Sequence, residues 1–142
     1  MRFAVRYQSH GGNTRAMAET IAAVLGVEAK PVSAPLEERA DILFLGGGVY
    51  AWHADPALSA FMRRLRPEQV GKVVAFSTTG SLDRTNPAVL RAMKKKGIPA
   101  ESGLCLKLGL QGNAMVGRKG GCLTGAQKAG IEAFARAYLE QK

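Results

Sequence analysis

Apolar positions along this chain follow two alternating rhythms. Short runs, FAVRY at 3–7, DILFL at 41–45 and VVAF at 73–76, suit strands of a buried parallel sheet, because an uninterrupted apolar run fits a strand covered on both faces. Longer segments repeat their apolar residues every three or four positions. Met17, Ile21, Val24 and Leu25 form such a stripe within 13–25, Leu58, Phe61, Met62 and Leu65 within 56–66, and Ile131, Phe134, Ala135 and Tyr138 within 124–140. These are the faces of amphipathic helices. A further helix is expected over 87–96, and further strands over 27–32 and 104–108. Gly26 and Gly97 close two helices, and Pro56 suits a first helical position. Residues around 31–39 read as a loop with at most a turn of helix. Strands and helices therefore alternate, which predicts a doubly wound, three-layer α/β domain spanning 1–142 without a dividing linker. The one long aperiodic stretch is GLQGNAMVGRKGGC at 109–122. Loops of that length are commonly functional, and this one is expected near the site.

Composition changes this picture little. Apolar residues make up 46% and charged residues 22% of 142, values of an ordinary globular chain that can bury a full core. No apolar run approaches the roughly 20 residues of a membrane span, and the start, MRFAVRYQSHGG, lacks an apolar segment of signal length, so no membrane span and a cytoplasmic location are expected. Cys105 and Cys122 fit neither C-x-x-C nor a zinc spacing and read as reduced thiols.

Charge is more informative. Twenty Lys and Arg against eleven Asp and Glu give +9, which favours acidic partners. Nucleic acid is not expected among them, because no basic stripe with interleaved aromatics occurs. Lys94, Lys95 and Lys96, and Arg63, Arg64 and Arg66, each fall near a predicted helix end, where they complement the helix dipole.

The candidate chemistry lies in three loops that leave strand ends: 9–14, 46–52 and 77–83. In an open parallel sheet they share one edge, and ligands bind there where strand order reverses. The first loop offers hydroxyls at Ser9 and Thr14, the amide of Asn13, backbone freedom at Gly11 and Gly12, and the free N–H groups of a helix start. That is what a phosphate dianion needs. The loop contains neither G-x-x-x-x-G-K-S/T nor G-x-G-x-x-G. Its competing reading is a plain strand-to-helix turn capped by Asn13 or Ser9. The second loop places glycines at 46, 47 and 48 beside Val49, Tyr50, Ala51 and Trp52. The glycines let backbone approach a flat ligand, and the aromatics offer a stacking face, unless Trp52 is a packing residue. The third loop adds small groups, Thr78, Thr79, Gly80 and Ser81, able to face the polar edge of a ring.

Ser9-His10-Gly11-Gly12-Asn13-Thr14, directly after the first strand, resembles the first loop of the flavodoxin family, Ser/Thr-x-Thr-Gly-Asn-Thr. The resemblance covers nearly the whole chain in element order. It implies a flavodoxin-like three-layer sandwich, with a five-stranded parallel sheet of order 2-1-3-4-5 and helices on both faces. It also implies flavin mononucleotide (FMN) as cofactor, its phosphate wrapped by residues 9–14. The isoalloxazine would lie between Gly48, Val49, Tyr50, Ala51 and Trp52 on one side and Thr78, Thr79, Gly80 and Ser81 on the other. Three departures stand out: His10 and Gly11 replace residues commonly hydroxylated or aromatic, the third loop lacks a covering aromatic, and the chain is basic where dedicated carriers are acidic.

The function expected on this basis is electron transfer through non-covalently bound FMN to a protein partner or small acceptor, the partner being acidic. Residues 47–65 also look like part of the flavodoxin-like protoporphyrinogen oxidases, and a quinone reductase is a related alternative. A receiver domain is excluded by chemistry, since Gln8, Ser9 and the glycines 46–48 occupy the places of its acidic residues. A low-molecular-weight phosphatase is excluded by the missing first-loop cysteine. A flavin-free binding module on the same scaffold stays open, as does a minor role for His10 or His53 in proton transfer. The spacing of His10, His53 and Cys122 predicts no shared metal geometry.

Overall fold

The structure, a computed structural model, describes residues 1–9, 12–50, 53–54, 56–79, 85–107 and 123–140. Its elements run β1 (Phe3–Tyr7), α1 (Asn13–Leu25), β2 (Ala29–Pro31), β3 (Ala40–Tyr50), β4 (His53–Ala54), α2 (Pro56–Arg64), a 3-10 turn (Pro67–Gln69), β5 (Val70–Thr79), α3 (Thr85–Lys96), β6 (Ala100–Lys107) and α4 (Gly125–Leu139). Five strands pair in parallel in the order β2-β1-β3-β5-β6, and the two-residue β4 folds back antiparallel on the end of β3. Numbering the parallel strands alone gives 2-1-3-4-5, the order that the resemblance implies.

Both faces of the sheet are covered, which explains the unbroken apolar runs. Ile42, Phe44, Val74 and Phe76 point to the layer of α1 and α4 and meet Met17, Ile21, Ile131 and Tyr138. Their neighbours Leu43, Leu45, Val73 and Ala75 point the other way, to Leu58, Phe61 and Met62 of α2 and Val89 and Met93 of α3. Alternation along each strand thus feeds two cores. Gly26 and Gly97 end α1 and α3 at φ 72° and 73°, a left-handed backbone that glycine adopts without penalty. Buried Arg6 clamps the segment after β2, its guanidinium donating to the carbonyls of Ala34 at 2.9 Å and Pro35 at 3.0 Å.

The strands differ in length from the sequence expectation. β3 continues through Gly46, Gly47 and Gly48 to Tyr50, and β5 runs on to Thr79, so both predicted loops begin inside the sheet. β6 starts at Ala100 rather than 104, and α3 at Thr85 rather than Pro87. β2 is shorter than 27–32, because Val27 N–H still bonds Ala22 O at 3.0 Å as part of the α1 cap. The 109–122 loop lies outside the described residues.

At the amino ends of β5 and β6, Lys72 Nζ donates to Glu101 at 2.8 Å and the Tyr138 hydroxyl donates to the same carboxylate. These bonds hold the Glu101 carboxyl below the ordinary glutamate range, and the Tyr138 phenol is pushed up by burial and by Glu101. A carboxylate with a depressed folded pKa adds stability above the unfolded value of about 4.3, which is lost as pH falls through the folded value. Glu101→Gln is therefore expected to flatten the loss of stability below about pH 4, modestly because its side chain is 44% exposed. Urea midpoints that fall equally with acid in both proteins would contradict this.

Candidate functional site

Strand order reverses between β1 and β3, and beyond their carboxyl ends the first loop meets the ends of β3 and β5. Gln8 N–H reaches Gly46 O at 3.0 Å, which fixes the exit of β1 against β3. Gly47 and Gly48 pair with Ser77 and Thr78 of β5. All three loop starts therefore share one edge, as the sequence predicts.

The first loop turns at Gly12, whose φ of 89° requires a residue without Cβ. Gly12 N–H donates to Ser9 Oγ at 3.1 Å, so the hydroxyl of Ser9 closes the turn and keeps its own proton for an outside acceptor. Gly12 is the N-cap of α1 and offers no side-chain acceptor, and no acidic residue occupies the first turn. By contrast α4 is capped by its own Thr124 and Gln127. The start of α1 thus presents its positive dipole end to the carboxyl edge without a side-chain cap from Gly12.

Asn13 and Thr14 then turn inward and are buried. Thr14 Oγ1 lies 2.8 Å from Thr78 Oγ1, a contact across 64 positions that joins the first loop to the third. Two hydroxyls carry two protons and their mutual bond uses one, so one proton remains to donate outward. Buried Ser77, Thr85 and Asn86 extend this polar edge. Asn86 Nδ2 donates to Ser102 Oγ at 3.2 Å. Ser77 opens the third loop that the sequence singles out, whereas Thr85 and Asn86 lie beyond it and were not assigned to the site. Their signal is the Ser-Thr-Thr ending of an apolar strand and the Thr-Asn-Pro opening of a helix.

The glycine reading needs correction at two positions. A Cβ on Gly46 would stand 2.1 Å from Phe76 Cε2, and one on Gly47 would stand 3.0 Å from Leu58 Cδ2. Gly46 is needed because the Phe76 ring crosses it, and Gly47 lies in tight contact with Leu58 on the opposite face of β3. Gly48 follows them at the end of the run, paired with Thr78. Ser9, Gly12, Asn13, Thr14, Gly48 and Thr78 come together at the carboxyl edge. Val49, Tyr50 and Thr79 end the strands there. His10, Gly11, Ala51, Trp52, Gly80 and Ser81 lie outside the described residues.

Two other features are quickly placed. Among the described residues no group of His, Cys, Asp and Glu could hold a metal, and no helix is long and apolar enough to cross a membrane. A shallow depression of about 650 Å³ lined by Met1, Arg2, Phe3, Arg39 and Asp41 sits at the opposite, amino-terminal edge. Its arginines are already paired, Arg2 with Glu38 at 3.0 Å and Arg39 with Asp41 at 2.8 Å.

The sequence pattern of the flavodoxin domain family matches residues 4–112, which include the three edge loops. The chain belongs to this family. No curated protein sequence matches it. Among solved structures, a flavodoxin from the domain Archaea superposes with a TM-score of 0.77, covering 99% of this chain and 98% of its own at 17% identity. The rubredoxin oxygen:oxidoreductase of Desulfovibrio gigas matches with a TM-score of 0.71 and 14% identity over 94% of this chain and 34% of that one. A flavoprotein from Lactobacillus acidophilus, solved in complex with FMN, gives 0.54 and 11% over 75% of this chain and 93% of its own. At such identities the likeness establishes the fold, and family membership brings flavin as the class of cofactor.

Proposed function

We propose that this protein binds FMN non-covalently and passes electrons through it to an acidic protein partner or a small acceptor. The observation that carries the reading is the Thr14–Thr78 bond, which joins the start of α1 to the end of β5, so that the first and third loops meet at one edge. The residues present fit the cofactor. Ser9, Asn13, Thr14 and the α1 N–H groups would hold the phosphate, with His10 and Gly11 completing the turn. Gly48, Val49, Tyr50, Ala51 and Trp52 would line one side of the ring, and Thr78, Thr79, Gly80 and Ser81 the other. Bound flavin supplies the one- and two-electron chemistry, so the protein needs only to bind it, orient it and tune its surroundings.

The +9 charge sets the sign of a protein partner, and the reading is of a cytoplasmic protein. The same charge favours, as a second reading, a small FMN-dependent oxidoreductase that turns over an acceptor such as a quinone. Steady-state reduction of a soluble quinone by the reduced protein separates the two readings.

The direct test is the visible spectrum of the purified protein, followed by release and mass analysis of any chromophore. A yellow protein that releases FMN on denaturation is expected; a colourless protein that takes up no FMN would overturn the reading. Trp52 supplies a separate check on the ring platform. Its emission is expected to be quenched when FMN binds, and Trp52→Ala is expected to shift flavin fluorescence and potential with a smaller loss of affinity. Unquenched Trp52 emission would remove Trp52 from the ring site.

A further inference from the structure

The positive charge of this chain is concentrated in one layer. Residues 56–96 hold nine Lys or Arg and two Asp or Glu, and seven of those cations lie on α2, on α3 or at Arg66 between them, whereas Lys72 of β5 faces Glu101 and Tyr138. Within the helices the contrast is sharper. α2 and α3 carry Arg63, Arg64, Arg91, Lys94, Lys95 and Lys96 and no carboxylate, whereas α1 pairs Arg15 with Glu19 and α4 mixes Lys128 and Arg136 with Glu132.

The two basic turns are parts of one surface. Lys96 Nζ donates to Arg63 O at 2.6 Å, tying the end of α3 to the end of α2, and Arg66 follows in the next turn. Arg63, Arg64, Arg66, Lys94 and Lys95 are exposed, and among the described residues none of them has an ion-pair partner. Helix dipoles account for little of this cluster. Two helix C-termini present about one negative charge between them, and Glu68 adds one more, against six cations.

We propose that the ends of α2 and α3 form a docking surface for an anionic phospholipid bilayer. The features of the patch favour this occupant. A long-lived protein complex at this patch would centre on buried apolar or aromatic anchors, yet the exposed large hydrophobic residues among those described are Met1 and Leu139, both outside this layer. Nucleic acid recognition takes an element that enters a groove or an aromatic platform for unstacked bases, and two helix C-termini offer neither. Flexible, exposed cations match a fluid sheet of headgroups, and clusters of four to eight Lys and Arg are of the size that adsorbs to anionic leaflets. The patch lies at the amino ends of the strands, about 30 Å along β5 from the carboxyl edge. Docking there leaves that edge facing solution. The inference rests on the charge distribution and does not depend on what the carboxyl edge binds.

The test is co-sedimentation of the full chain with vesicles of phosphatidylcholine alone, or with phosphatidylglycerol as about a third of the lipid. Retention is expected on the anionic vesicles only, with release in about 1 M salt, where the Debye length falls to about 3 Å. Each basic residue near such a surface contributes about fivefold, so K94A/K95A/K96A is expected to weaken partitioning about a hundredfold. K128A/R136A on α4 is expected to stay within about threefold. No retention at low salt, or equal losses in the two variants, overturns the proposal. So does retention on duplex DNA or an acidic protein without retention on vesicles.

Discussion

Thr14→Val combined with Asn13→Ala is expected to weaken FMN binding by about 3 kcal/mol or more, since hydrogen bonds to a charged group contribute roughly 1.5–3 kcal/mol each. Thr14 is 3% exposed and bonded to Thr78, so its hydroxyl is already aimed and needs no ordering when a phosphate arrives. Fold stability provides a control that separates binding from structure. Thr14→Val alone removes the partner of a buried Thr78 hydroxyl and is expected to destabilise the chain by about 1–3 kcal/mol. Thr14→Val with Thr78→Val removes both hydroxyls and is expected to restore most of that stability, because replacing both partners by apolar groups of similar shape is nearly neutral. FMN affinity is expected to stay low in the double variant. A fluorescence titration that finds unchanged affinity in the Thr14 and Asn13 variant would remove these residues from the phosphate site.

Gly46→Ala is expected to destabilise the sheet strongly. The added Cβ would stand 2.1, 2.3 and 2.5 Å from three ring atoms of Phe76, whose side chain is fully buried among Val74, Phe44 and Ile21. Overpacking of a tight core costs about 1–3 kcal/mol, and a clash with a ring that has nowhere to move belongs at the upper end. Phe76→Leu in the same chain is expected to recover part of the loss, making the pair less destabilised than the sum of the singles. Urea denaturation of the four proteins measures this directly. A midpoint for Gly46→Ala indistinguishable from the parent would mean that the ring does not cross this glycine.

The same position shows where sequence reading runs out. Gly46-Gly47-Gly48 looks like a loop because glycine has low strand propensity and breaks the apolar run of 41–45. In the sheet these residues pair with Phe76, Ser77 and Thr78, and tertiary packing across the first two outweighs propensity. Partners so distant in sequence leave no local trace. The two-core sandwich was legible, because DILFL can feed two faces only if both are covered, and so were the caps at Gly26 and Gly97. The shared edge of the three loops was legible from strand alternation. The Thr14–Thr78 contact was not: it depends on the register of β5 against β3 and on the entry angle of α1. Likewise the basic turns read as separate dipole caps until Lys96 was seen on Arg63 O.

The measurement that bears most directly on the central claim is a titration of apo protein with FMN and with riboflavin, following flavin fluorescence. The two ligands share the ring and differ in the phosphate. Saturable binding of FMN, with riboflavin bound at least a hundredfold more weakly, is the predicted result, because the proposed site puts the phosphate on the first loop and the start of α1. Equal affinity for both would contradict the phosphate assignment, and no binding of either would contradict flavin chemistry at this edge altogether.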